Sequence, residues 1–282
     1  MREDDYLFIS RLVKEKSGLA LAGDKQYLVE SRLLPLAREA GIDDLGAFVT
    51  QLRRPDAASL RNSVVEAMTT NESFFFRDKV PFEHFTNVMM PYFINARASK
   101  RHLRIWCAAS STGQEPYSLA MCLQEMGSKI AGWRIEILGT DISSQALERA
   151  KAARYTQFEV QRGLPLHMLA KYFIQKSEGA GEVWEVVPSI RSMVTYQKFN
   201  LLDRFSALGV FDIVFCRNVL IYFDPPTKAD VLDRISRVLS PDGFMMLGAA
   251  ETVVGLTEAF QPMAGRRGLY CPTINKVPIA AS

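Results

Sequence analysis

Over the first seventy or so positions, apolar residues recur at intervals of three and four and show no one-by-one alternation. In DDYLFISRLVKEKSG, Leu7, Phe8, Arg11, Leu12 and Glu15 fall at that spacing and Gly18 follows as a stop, which predicts a helix. DKQYLVESRLLPLAREAG repeats the pattern through Tyr27, Leu28, Leu33, Leu34 and Ala37 and ends at Gly41. Two shorter helices are predicted at 45–52 and 57–67, so residues 1–70 read as a small helical bundle.

Near Arg101 the pattern changes. HLRIWCAAS reads as a strand running into small residues, and EPYSLAMCLQEMG as a helix with Pro116 in its first turn and Gly127 at its end. WRIEILGTD is a second strand, and DISSQALERAKAA a second helix capped by Ser143 or Asp141. Strand, helix, strand, helix in this rhythm predicts a parallel sheet with crossover helices. Residues 155–193 break it: a short helix PLHMLAKYF precedes SEGAGEVWEVVPSI, where Gly179 and Gly181 turn between strand-like segments. This predicts a small antiparallel β-subdomain inserted in the sheet domain. MVTYQKFNL and FDIVFCRN then read as strands, and KADVLDRISRVLSPDG as a helix stopped by Pro241 and Gly243. Strand FMMLGAAE and an antiparallel edge strand GLYCP complete the pattern, and 273–282 are expected to be disordered. The predicted fold class is α/β: a doubly wound, Rossmann-like, mostly parallel sheet over 101–272, a joining segment and linker helix over 71–100, and an all-α N-terminal domain.

One stretch obeys neither period. TTNESFFFRD, 69–78, carries three consecutive phenylalanines, whose side chains cover nearly every direction around the backbone. It is expected to thread between two bodies, with Phe74, Phe75 and Phe76 anchoring it in both.

Composition narrows the function classes. The chain has 282 residues, 48% hydrophobic and 23% charged, enough for a sizeable core. A net charge of +3 does not by itself imply nucleic acid. Cysteines 107, 122, 216 and 271 and histidines 84, 102 and 167 are scattered without metal-ligand spacing, so reduced thiols and no metal site are expected. The acidic start MREDDYLFIS and the lack of a long uncharged apolar run predict a cytoplasmic chain, with a monomer as the default.

Chemistry is expected in the four loops leaving the carboxyl ends of the strands. CAASSTGQEPYS lets backbone approach a ligand at a helix start, but Gly113 stands alone and Glu115 would repel phosphate, which disfavours a pyrophosphate cradle. Asp141 in LGTD is placed either to accept from ribose hydroxyls or to cap the next helix. FNLLD, 199–203, offers polar groups that could read an adenine edge. Arg217 and Asn218 stand at the tip of an apolar strand, with Tyr222 one turn on, expected on the same helical face. Neither a Ser-His-Asp nor a Cys-His arrangement emerges, which favours a reaction asking mainly for positioning.

MTTNESFFFRD, WCAASSTGQEPYSLAM, GTDIS, FNLLD and FDIVFCRNVLIYFD, in this order and spacing, resemble the chemotaxis receptor methyltransferases, the CheR family, over nearly the whole chain. The resemblance implies a class I methyltransferase sheet, S-adenosylmethionine as cofactor with S-adenosylhomocysteine as product, and methylation of glutamates on chemoreceptor cytoplasmic helices. It implies that Asn71, Ser73, Arg77 and Glu115 contact the methionine end of the cofactor and that Asp141 holds the ribose. Asn200 and Leu201 would lie by the adenine, Arg217 and Asn218 in the pocket wall, Arg77 and Tyr222 near the transferred methyl. Arg32 matches a family arginine of substrate recognition. Departures are Gln114 where an acidic residue is frequent, Pro35 and Leu36 where basic residues are common, and LGAAE around Glu251, to which no role is assigned. The alternatives are a cofactor-binding sensor or adaptor without turnover, and a class I methyltransferase with another substrate.

Overall fold

A computed structural model describes residues 1–178 and 181–274. The N-terminal helices are α1 (Glu3–Ser17), α2 (Gln26–Glu39), α3 (Leu45–Leu52) and α4 (Ala58–Met68). They enclose a core of their own around Ile9, Val13, Val29, Leu33, Phe48 and Val64. The buried faces differ from the expected ones. Tyr6, Ile9, Leu12 and Val13 turn inward on α1 while Leu7 is exposed, and Phe8 lies under the Arg53 guanidinium at 4.2 Å. On α2 it is Val29, Leu33 and Ala37 that are buried, and Tyr27 is exposed. Adjacent helical residues point about 100° apart, so a doublet such as Leu7-Phe8 leaves the phase of the stripe open until a partner selects it.

The joining segment leads to α5 (Val80–His84), a π-helical turn (Phe85–Met89), α6 (Met90–Ala96) and β1 (His102–Ala108). Then follow α7 (Gln114–Met126), β2 (Arg134–Asp141) and α8 (Ser144–Ala152). The insertion comprises β3 (Arg154–Thr156), α9 (Gln157–Gln161), α10 (Leu166–Tyr172), β4 (Phe173–Glu178), β5 (Gly181–Val186) and α11 (Pro188–Arg191). Its strands pair antiparallel in the order β3-β5-β4, as expected. The turn read at Gly179 and the end of the tail, 275–282, lie outside the described residues. The chain closes with β6 (Val194–Lys198), β7 (Phe211–Cys216), α12 (Pro225–Val238), β8 (Leu239–Leu247), β9 (Phe260–Pro262) and β10 (Leu269–Pro272).

The main sheet runs β6-β2-β1-β7-β8-β10-β9, parallel from β6 to β8 and antiparallel at β10 and β9. The short β9 lies outside β10, where no strand was read. Strand residues alternate between two cores: Leu103, Ile105, Ile213 and Phe215 enter one, Trp106, Val214 and Cys216 the other. Both faces are thus covered, as a parallel sheet requires. Helix α12 ends at Val238, earlier than Pro241 suggested, because Leu239 already pairs with Phe211. The next pair is Ile213 with Phe244, so 240–243 bulge from the ladder.

The phenylalanine run also differs from its reading. Phe75 and Phe76 both lie in the sheet domain's core and neither enters the helical bundle's. Phe74 is half-buried, with the Arg77 and Arg162 guanidinium groups 5.4 Å and 4.4 Å from its ring centroid. The bundle is instead joined through Leu19, which packs against both its own core and a core of the sheet domain, and through polar contacts. Lys14 Nζ meets Asp224 at 2.6 Å, Ala20 N–H donates to the Tyr222 carbonyl at 2.8 Å, and Leu19 bridges Phe223.

Asp224 also caps α12 by accepting from Thr227 N–H at 3.0 Å. The Lys14 bond first, and the cap bonds after it, hold its carboxyl pKa down at about 2. A depressed folded pKa adds stability above the ordinary carboxylate value that is lost as pH falls through the folded one. Between pH about 4 and 2 the wild type should therefore lose its advantage over Asp224→Asn, which keeps a capping oxygen but not the charge. Unfolding free energies measured across that window check this; a gap that stays constant would refute it. Among the described residues no helix is long and apolar enough to cross a membrane, and no group of His, Cys, Asp and Glu could hold a metal. The four cysteines are buried and free.

Candidate active site

Strand order reverses between β1 and β7, and the loops leaving β1, β2, β6 and β7 border one cleft of about 900 Å³ including its mouth. A ligand site is expected there in a doubly wound sheet.

The loop after β1 makes its tight path through left-handed residues Ala109 (φ 62°), Ser111 (φ 49°) and Gly113 (φ 95°). Gly113 is required twice over, since a Cβ there would also stand 2.7 Å from the Tyr196 hydroxyl. Ala109, Ser110 and Ser111 bring backbone to the cleft wall, and the buried Ser110 Oγ has no protein partner.

Asp141, at the end of β2, accepts from Ser111 N–H at 2.8 Å and Ser143 N–H at 2.9 Å. It is not the cap of α8; Ser143 is, accepting from Ala146 N–H at 3.2 Å. Burial raises the Asp141 pKa against these backbone bonds. Asn71, from the joining segment, crosses to the same loops: its carbonyl accepts from Ser111 Oγ at 2.8 Å and its amide faces Ser143 Oγ at 3.5 Å.

A charged cluster forms a second part of the cleft. Arg217, its side chain 2% exposed, donates to Glu115 Oε2 at 2.7 Å, Asp78 Oδ2 at 2.7 Å and the Arg77 carbonyl at 2.9 Å. Its buried Nε has no partner in the protein. Burial lifts the Glu115 pKa, and Arg217 pulls it back down. Arg77 donates to the Glu72 carbonyl at 3.1 Å and lines the cleft beside Ser73.

All the expected cofactor-site residues border this cleft, as does Tyr222. Two details differ. The Asn200 side chain donates to the Lys16 carbonyl at 2.6 Å and accepts from Leu202 N–H, so it ties the bundle to the site. Tyr222 ends a 3-10 turn, Leu220–Tyr222, and shares no α-helical face with Asn218. Arg32 lies elsewhere: it caps the end of α4 through the carbonyls of Met68 at 2.7 Å and Thr69 at 2.9 Å. That engagement fixes where the joining segment begins.

Sequence reasoning missed Ser17 and Leu19, which reach the cleft from the end of α1 and the start of the α1–α2 connection. Gly18 signalled only a helix end; nothing local said what the chain beyond it would cover. Glu251, given no role from the sequence, accepts hydrogen bonds from the loop after β7.

The architecture and the cleft, with small residues after β1, a buried carboxylate closing β2 and a mixed-charge cluster at β7, define a class I S-adenosylmethionine-dependent methyltransferase. Residues 71–269 match the CheR methyltransferase SAM-binding domain, and residues 4–69 the CheR methyltransferase all-alpha domain. The chain belongs to this family, the chemotaxis protein methyltransferases. It is 44% identical to Chemotaxis protein methyltransferase Cher2 of Pseudomonas putida over 89% of this chain and 91% of that one. It is 43% identical to Chemotaxis protein methyltransferase 1 of Pseudomonas aeruginosa over 91% and 93% respectively. Likeness to solved structures is faint: PKMT2 from Rickettsia typhi gives a TM-score of 0.37 and 13% identity over 62% of this chain and 26% of that one.

The residues present fit that cofactor in kind: Arg77, Arg217 and Glu115 put both signs of charge in the cleft, where a zwitterionic amino-acid end would need them, and Leu19, Phe199 and Leu201 give the apolar wall a base would need.

Proposed function

We propose that this chain methylates glutamate side chains on the cytoplasmic helices of chemoreceptors, giving methyl esters and S-adenosylhomocysteine for adaptation in chemotaxis-type signalling. The observation that carries the reading is the charge pattern of the cleft, where Arg77 and Tyr222 border a site with no histidine or cysteine among its lining residues. A glutamate has a reference pKa of about 4.3, so at neutral pH it is an ionised nucleophile that needs no general base. Bound S-adenosylmethionine supplies a methyl group already activated by its positive sulfur.

The chain's own residues then have to bind and align. Asp141 accepts from the ribose hydroxyls, with Asn200 and Leu201 beside the adenine. Asn71, Ser73 and Glu115 meet the methionine end, and Arg217 with Asn218 forms the pocket wall. Arg77 orients the incoming carboxylate by charged hydrogen bonds, and Tyr222 donates a further one. Arg32 influences substrate recognition through the end of α4 that it holds. The partner is a receptor in the cytoplasm, met by a monomeric enzyme without nucleic acid.

The test is incubation with methyl-labelled S-adenosylmethionine and a chemoreceptor cytoplasmic fragment. Label should appear on glutamate and be released by mild alkali, as an ester is. Alkali-stable label, or none, would remove the proposal.

A further inference from the structure

The carboxylate of Glu251 reaches the loop between β7 and α12. Its Oε2 accepts from Asn218 N–H at 2.8 Å and Gly248 N–H at 2.7 Å. Its Oε1 accepts from Val219 N–H at 3.0 Å and Ile221 N–H at 3.3 Å. Asn218 is left-handed (φ 58°) and Val219 is not (φ −123°, ψ −40°), so their successive amides converge on one side. Such a turn is a concave nest for an anion, and here the chain fills it with its own carboxylate.

We infer that Glu251 is a positioning residue for methyl transfer, holding the loop so that Asn218 and Tyr222 border the cleft. This rests on the part given to Tyr222 under the proposed function. The loop has two kinds of tether. At Tyr222 and Phe223 it is held by the bundle, through Ala20 and Leu19. From 218 to 221 it is held by Glu251. Without the clamp, Asn218 keeps an unfavourable backbone conformation and loses the bond that fixes its amide. Gly248 shows how closely the parts fit: a Cβ there would stand 2.6 Å from Glu251 Oε2 and 2.9 Å from the Asn218 nitrogen.

Because each oxygen takes two N–H donors, an amide at 251 sets its NH2 against donors in either orientation. Glu251→Gln should therefore lower kcat about tenfold to a hundredfold through misplacement of the loop. The affinity for S-adenosylhomocysteine by calorimetry should fall less than kcat does, since among the cofactor-site residues only Asn218 is released while Asp141 and the loop after β1 are untouched. If Glu251 acts through Tyr222, Glu251→Gln with Tyr222→Phe should lie within about twofold of Tyr222→Phe alone. Full kcat in Glu251→Gln, or a double variant that multiplies the two losses, overturns the inference. Should Glu251→Gln not fold, Gly248→Ala keeps the carboxylate and crowds the clamp. It should show the same kcat loss, again larger than any loss of product affinity, and wild-type kcat in the folded variant overturns the inference. Wild-type transfer to receptor glutamate is the control: its absence sinks the substrate reading alone. Amide exchange at 218–221 then still reads the clamp; it should quicken in Glu251→Gln, and unchanged exchange rejects it.

Discussion

Arg217→Met is expected to abolish methyl transfer and to lower stability by about 3–5 kcal/mol, the usual effect of stranding one half of a buried ion pair. The guanidinium is almost fully enclosed and serves Glu115, Asp78 and the Arg77 carbonyl at once. Methionine replaces the stem but none of the donors. Glu115 then stays buried with its chief counter-charge gone, and the Arg77 backbone loses the bond that sets its height over the cleft. Lysine is no substitute, because a single ammonium cannot reproduce a fork that serves three acceptors.

The pH dependence gives this prediction its sign. In the wild type burial already raises the Glu115 pKa and Arg217 opposes it, so in the variant the pKa rises further. A carboxyl whose folded pKa exceeds its unfolded value binds more protons when folded. It favours the fold most below the unfolded value of about 4.3, and that stability is lost as pH rises through the folded value. The deficit of Arg217→Met should thus be small near pH 4.5 and widen toward about pH 8. Urea unfolding at both pH values reads it. An equal deficit at the two would mean that Glu115 is not the group left stranded.

Phe75→Ala is expected to lower stability by about 3–5 kcal/mol, as for other fully buried phenylalanines. Its ring meets Tyr155 at 4.9 Å and Phe173 at 5.4 Å, both edge-on and both from the inserted subdomain. Its carbonyl is equally confined: a Cβ on Gly163 would come within 2.1 Å of it, at a backbone φ of 85° that glycine alone adopts freely. The segment carrying Asn71, Ser73 and Arg77 hangs from this anchor, so cofactor affinity should fall with stability. Phe74→Ala is the contrast, because a half-exposed ring beneath two arginines contributes about 1 kcal/mol or less. Denaturant unfolding of the two variants and calorimetry with S-adenosylhomocysteine check both. Equal losses would show that the run acts as a whole and not through Phe75.

Much of this was legible in the chain. The change from three-and-four spacing to solid apolar strands located the bundle and the sheet. The break at 155–193 revealed the insertion, and the residues at strand ends pointed to the cleft. Such features are written in local order, since a strand's alternation and the residue at its tip depend on a few neighbours. What escaped depends on partners far along the chain. The phase of α1 was open because Leu7 and Phe8 are equally apolar, and only the other helices chose Tyr6, Ile9 and Val13.

The same division holds at the site. Strand-end positions and the family resemblance marked Asn71, Arg77, Glu115, Asp141 and Arg217 as candidates, and all five line the cleft. Only the tertiary structure decided that Glu115 and Arg217 face each other, that Asn200 turns to Lys16, and that Glu251 clamps amides 30 to 33 residues away. A hydrogen bond acts over a few ångströms, and no spacing along the chain records which distant groups folding will bring that close.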